Sequence, residues 1–348
     1  MVTDVHSFLA DIWYLLLGVI LMLYVITDGF DLGVGVLSLF ERDEDRRTEM
    51  MAGMSGVRDA NEIWLVLFGG ALFGAFPVVY SVTLQALTVP IGAMLLGLIL
   101  RSIAFEFRAR ARHKRIWTLL FGGGSLTAAL AQGCALGAVI GGLPVAGGQF
   151  TGNLWSWLSP FSSVVAVGVA AGYALLGGTY LIIKTRAGLQ LSSRRRSRVA
   201  AWIMFSAAVF VSVATPMSHE YVANRWFSIP QLLFLAPLAA AALGAFVMLM
   251  RALDRGCEVS PFVWTLAIFV TSFVGLADSL YPYLVPSAFT VAEAASSSAT
   301  LVFMLVGIGM LIPVMLVYNG YQYLVFGGRI FQRTRNDLRR LEPGKESE

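Results

Sequence analysis

Two aspartates stand three residues apart inside an otherwise apolar stretch, Thr27-Asp28-Gly29-Phe30-Asp31-Leu32-Gly33-Val34-Gly35. On a helix that spacing puts both carboxyls on one face. A second polar group follows in Asp59-Ala60-Asn61-Glu62-Ile63-Trp64, and a third in Arg101, Glu106 and Arg110. Carboxylates gathered near an arginine can hand protons along a line or form a fixed ion network. Inside a membrane an ionisable side chain costs several kcal/mol, so each is a functional candidate by default.

Plainer readings fit several of these residues. Asp59 with Glu62 three positions on has the form of a capping box at a helix start. Glu106 and Arg110, four apart, fit an interfacial ion pair. Arg101 can neutralise a buried carboxylate or meet the headgroup of a bound lipid or quinone. Asp28 and Asp31 lie mid-helix, where a cap explains nothing. Asp278 and Glu293 fall near span ends and read as interfacial groups.

The stretches that hold these residues set the fold class. Of 348 residues, 57% are hydrophobic and 13% charged, about half the charge of a soluble domain. The apolar residues fall in runs of about 20, enough to cross a hydrocarbon core roughly 30 Å thick. Backbone without water must bond to itself, so such runs are helices; a β-barrel would show short alternating segments. The expectation is an all-α polytopic membrane protein of one transmembrane domain. Nine spans are expected, at 8–40, 60–80, 82–110, 116–141, 160–186, 198–216, 230–252, 260–282 and 293–326, with a basic-to-acidic tail at 327–348. The first run lacks a basic leader and is expected to be a span, not a cleaved signal.

Basic residues prefer the cytoplasmic side. Every lysine and arginine except Arg101 and Arg225 falls at the inner end of, or after, the first, third, fifth, seventh or ninth span. That places the N-terminus outside and the C-terminus inside, and it requires an odd number of spans. Asp28, Asp31, Asp59, Glu62, Arg101 and Glu106 then all lie toward the cytoplasm, on three consecutive helices. Topology and anionic headgroups account for basic clusters such as 194–198, with no nucleic-acid partner. Gly133, Gly137 and Gly141 at spacing four read as a close helix approach.

Histidines are few. His6, His113 and His219 fall in expected tails or loops, whereas a haem held by two histidines needs them within the spans. No haem, copper or other metal is expected on this chain. Cys134 and Cys257 show no metal spacing and no disulfide pattern. The Gly29–Gly35 glycines lie within a span, which excludes a phosphate loop.

The segment from Thr27 to Gly35 resembles the signature of the first helix in subunit 2 of cytochrome bd-type quinol oxidases. DANEIWLVLFGGALFGAFPVVY from Asp59 to Tyr80 resembles that family's second block, and RSIAFEFR from Arg101 to Arg108 its third. SLYPYLVPS from Ser279 and PVMLVYNGYQYLVF from Pro313 are similar to its last two helices. Between about 115 and 275 only the pattern of spans matches. In one departure, Arg58 and Ala60 stand where the family often has Trp and Gly, which sets a cation beside Asp59.

The resemblance implies two four-helix bundles with one peripheral helix, paired with a similarly folded subunit 1. That partner would hold the quinol site, two b haems and one haem d. A small single-helix accessory subunit and a buried quinone are further expectations. The complex would oxidise quinol and reduce dioxygen to water in the prokaryotic cytoplasmic membrane, drawing protons from the cytoplasm. The positions matching Asp59, Glu106 and Arg110 lie on the family's proposed proton path. Two other functions fit the residues alone: a secondary transporter with a buried acidic ion site, and a purely structural membrane partner.

Overall fold

The computed structural model describes residues 2–54, 58–108, 110–218 and 220–325. The tail at 327–348 and His219 lie outside them. The described chain is almost wholly helical. In order the helices are α1 Val2–Leu39, α2 Glu44–Ala52, α3 Arg58–Ala75, α4 Pro77–Ala86, α5 Thr88–Arg108 and α6 Lys114–Ile140. After the hairpin β1 Val145–Ala146 and β2 Gln149–Phe150 come α7 Pro160–Lys184, α8 Ala187–Ser218, α9 Glu220–Trp226, α10 Ile229–Asp254 and α11 Ser260–Leu280. A second small hairpin, β3 Tyr283–Val285 and β4 Phe289–Thr290, leads to α12 Val291–Ala294 and α13 Ser298–Val325. Among the described residues eight helices are long and apolar enough to cross a membrane, and Ala60–Ala75 within α3 is a shorter apolar helix.

Local chemistry sets the boundaries, and several differ from the sequence reading. The second span does not run to 80. Proline disfavours helical backbone at the residue before it; Phe76 leaves the helix at φ −136° and Pro77 opens α4. The third membrane helix therefore starts at Thr88, not 82. The sixth starts at Ala187, not 198, so Arg194, Arg195, Arg196 and Arg198 ride on a helix. The last starts at Ser298, not 293, because Thr290 and Glu293 cap the separate turn α12. His6 belongs to α1, where its ring meets Ser298 Oγ and the Ala292 carbonyl. In β1–β2, Gly147 and Gly148 both take positive φ, which the two-residue turn between twisted strands requires.

Hydrogen bonds sort the connections to two ends. At one end Arg108 reaches Glu44 and Thr48 on α2, Arg196 reaches Glu41 and the Phe40 carbonyl, and Arg194 reaches the Gly256 carbonyl. At the other, Trp13 bonds the Leu301 carbonyl, Arg225 the Asp278 carbonyl, and Ser296 the Gly74 carbonyl. Helix α1 lies at the centre, against α3, α6 and α7; α7 and α8 adjoin, as do α10 and α11, and α13 lies beside α3. A Cβ on Gly33 would stand 1.7 Å from the Tyr173 oxygen, and one on Gly177 2.4 Å from Val34 N. Backbone contact between α1 and α7 therefore demands glycine at both places. The close-approach expectation holds at Gly133 and Gly137, where a Cβ would meet the α7 backbone at Ala166 and Ser162, at 2.4 and 2.5 Å, but not at Gly141, which caps α6 and meets its own helix first.

Candidate functional site

A charge cluster bridges α1, α3 and α5. Arg101 on α5 has no solvent exposure, and its Nη2 donates to Asp28 Oδ1 at 2.7 Å and to Glu62 Oε1 at 2.6 Å. Asp28 is equally buried, while the Glu62 side chain is 35% exposed. Ser102 adds a longer bond to Glu62 at 3.4 Å. Helical phase explains the placement. Arg101, Ala104 and Arg108, at three- and four-residue steps, form the buried side of α5. The cost of burying the guanidinium is offset by a carboxylate at contact distance, the condition under which buried charges persist.

Asp31, one turn on along α1, is also fully buried but does not touch Arg101. Its Oδ2 accepts from Asn61 Nδ2 at 2.8 Å; the same nitrogen donates to the Thr27 carbonyl at 3.1 Å, and Tyr323 of α13 donates to Asn61 Oδ1 at 3.1 Å. The two aspartates of one helix face thus have different environments. Asp28 meets a cation; Asp31 meets neutral groups. Beyond Asp28, toward the other end, Tyr24 accepts from Gln132 at 2.7 Å and Tyr173 donates to Gln132 at 2.6 Å. That links α1, α6 and α7 through polar groups within the apolar core.

The remaining candidates lie nearer the α2 end. Glu106 is exposed, on the opposite side of α5 from Arg101, and stands 3.8 Å from Arg58. The Arg58 guanidinium packs over the Phe105 ring at 4.4 Å. Among the described residues no ion pair joins Glu106 to Arg110. Helix α5 ends at Arg108, so the four-residue spacing no longer brings them together, and Arg110 is exposed in a turn. Of the pair read as a capping box, Glu62 turns its Oε1 to Arg101. The Asp59 side chain lies outside what is described. Of the two roles read for Arg101, the geometry joins it to a buried carboxylate.

Sequence reasoning missed Asn61 as a partner for Asp31, and with it Tyr323. It also missed the clamp at the α2 end. Buried Arg108 donates to Glu44 Oε1 at 2.5 Å, to Thr48 Oγ1 and to Thr118 Oγ1, tying α2 to α5 and α6. Burial would raise the Glu44 carboxyl, but Arg47 and Arg108 outweigh it and leave it below the usual carboxylate range. A signal existed for Gln132, a polar side chain within an apolar span. None existed for Asn61, which hides in a helix start.

Among the described residues, no group of three His, Cys, Asp or Glu side chains stands together. His6 and His113 sit at helix ends, His113 at the cap of α6. These donors do not fit a haem inside the membrane.

Comparison with known proteins gives the family. The model of cytochrome bd terminal oxidase subunit II matches residues 9–326. Cytochrome bd-I ubiquinol oxidase subunit 2 of Escherichia coli (strain K12) is 30% identical, over 96% of this chain and 98% of its own length. A probable cytochrome oxidase subunit 2 of Haemophilus influenzae is 26% identical, over 93% and 96%. In the solved bd oxidase of Geobacillus thermodenitrificans, one chain superposes with a TM-score of 0.73 at 20% identity, covering 89% of this chain and 97% of that one, which shows a shared fold. A match over nearly the whole chain replaces the transporter reading: this multi-pass membrane protein belongs to the cytochrome bd terminal oxidase subunit II family.

Proposed function

We propose that this chain is the subunit of a quinol:dioxygen oxidoreductase that ligates no haem, and that it supplies the inner part of a proton inlet. Its partner is a haem-bearing subunit 1 with two b haems, haem d and the quinol site; a small accessory subunit completes the assembly. The membrane is the prokaryotic cytoplasmic one, with the N-terminus outside and the α2 end facing the cytoplasm. The concentration of arginines at that end supports this orientation.

The observation that carries the inlet reading is the buried Asp28–Arg101–Glu62 cluster, reached from the α2 end through progressively less exposed groups. Glu106 is exposed, Glu62 half-buried, and Asp28 and Asp31 buried. Glu106, with Arg58 3.8 Å from it and Arg110 four residues on, forms the mouth, together with Asp59, which adjoins Arg58 in the chain. Glu62 is the step inward. Arg101 fixes the negative charge that makes the interior hospitable to an arriving proton. We place the expected quinone in the open groove of about 360 Å³ at the α3–α4–α5 junction, whose lining includes Phe73, Tyr80 and Gln85. No catalytic step is assigned to it.

The test is turnover of the assembled complex. Asp59→Asn, Glu106→Gln and Glu62→Gln should each slow quinol-dependent oxygen uptake at saturating quinol while the haem spectrum stays normal. Unchanged turnover in all three would leave the chain a structural partner only.

A further inference from the structure

The two aspartates of the first helix share a face and differ in company. Arg101 commits a single nitrogen, Nη2, to both Asp28 and Glu62. One guanidinium therefore already faces two carboxylates. The surplus negative charge can rest on Glu62, whose side chain is 35% exposed, but not on Asp31, which has no exposure. We infer that Asp31 is the neutral, protonated carboxyl of the cluster at rest, and that Asp28 is the fixed anion paired with Arg101.

The surroundings of Asp31 support this. The charged groups that face it are Arg101, Asp28 and Arg58. Arg101 bonds the other two carboxylates through Nη2, and its Nε and Nη1 are buried without a partner among the described residues, neither of them on Asp31; Arg58 on α3 is turned to the Phe105 ring and Glu106. The nearby hydroxyls are engaged elsewhere: Tyr180 donates to the Gly53 carbonyl and Tyr323 to Asn61. Among the described residues only the Asn61 amide donates to Asp31. Its orientation is fixed, because the Thr27 carbonyl can only accept, so the atom beside it must be the NH2 group. Asp31 Oδ1 is buried with no partner among the described residues. One neutral donor cannot offset a full charge in so dry a place, and a carboxyl in that position keeps its proton instead.

The role this gives Asp31, a resting proton store beside a fixed ion pair, rests on the inlet reading; its charge state does not. Infrared spectra of the assembled complex, with hydrogen–deuterium exchange, separate the two. The wild type should show the C=O stretch of a protonated carboxylic acid that Asp31→Asn abolishes. Asn61→Leu keeps Asp31 and removes its donor, so the same band should move to higher frequency; this arm holds even if Asp31→Asn fails to assemble. A C=O region unaltered by both substitutions would overturn the inference. Oxygen uptake on the same samples reports separately. Band lost with turnover unchanged supports the charge state and removes Asp31 from the inlet, whose own test is turnover of the Asp59, Glu106 and Glu62 variants; band unaltered with turnover lost does the reverse.

Discussion

Replacing Arg101 with methionine strands Asp28. Both side chains are wholly buried and 2.7 Å apart, and methionine fills much of the volume without the charge. Removing one partner of a buried ion pair costs about 3–5 kcal/mol. Glu62 adds little, since a group more than a third exposed turns to water. The Asp28→Asn/Arg101→Met pair should then cost less than the sum of its singles by about 3 kcal/mol, the upper range for residues in contact. A double-mutant cycle on the complex, read by unfolding in mixed micelles of rising SDS fraction, measures it. Additivity within about 0.5 kcal/mol would refute a direct buried pair.

Other perturbations probe other levels of the structure. Gly33→Ala should block or severely weaken assembly, because its Cβ would overlap the Tyr173 carbonyl; overpacking costs about 1–3 kcal/mol even where neighbours can move. Gly123→Ala meets nothing within this chain and should leave the assembled yield near wild type. Glu44 is held below its usual range in the fold, so its contribution is present above the ordinary carboxylate range and lost as pH falls through the lowered value. Amide exchange in α2, corrected for intrinsic rates, should therefore quicken at acid pH and already be fast in Glu44→Gln; protection equal to wild type would mean that the Arg108 clamp does not hold the helix. Tyr323→Phe should loosen Asn61 and lower turnover more mildly than Asp31→Asn, as judged by oxygen uptake per haem.

Much of the fold was legible because the membrane makes hydropathy an almost direct readout of spans. Legibility failed where charge and helix coincide. Arginines 194–198 read as loop because loops hold most charge, yet α8 starts before them and seats Arg194, Arg196 and Arg198 on the ends of neighbouring elements. It failed again at Pro77, whose effect falls on the residue before it and shortens α3 by a turn. In the candidate site, the identity of the charged residues was readable from their types alone. Their pairing was not. Glu62 reads as a cap by spacing, and nothing within α3 reports that an arginine 39 residues later has the right phase to claim it.

The pairing of Asp31 shows why. Its environment is set by Asn61, 30 residues on, and Asn61 is oriented by Tyr323, a further 262 residues along the chain. Neither contact leaves a periodic trace, because each joins single residues from helices whose patterns are set by the apolar face. What separates Asp28 from Asp31 is a few ångströms of helix rise and the reach of one guanidinium. A one-turn shift of α5 against α1 would bring Arg101 to Asp31 and exchange the two roles. The glycine contacts that lock α1 to α7 at Gly33 and Gly177, and α5 to α6 at Gly97 and Gly124, oppose such a shift. The small residues that sequence reading treats as packing alone therefore also help to hold Arg101 against Asp28 and away from Asp31.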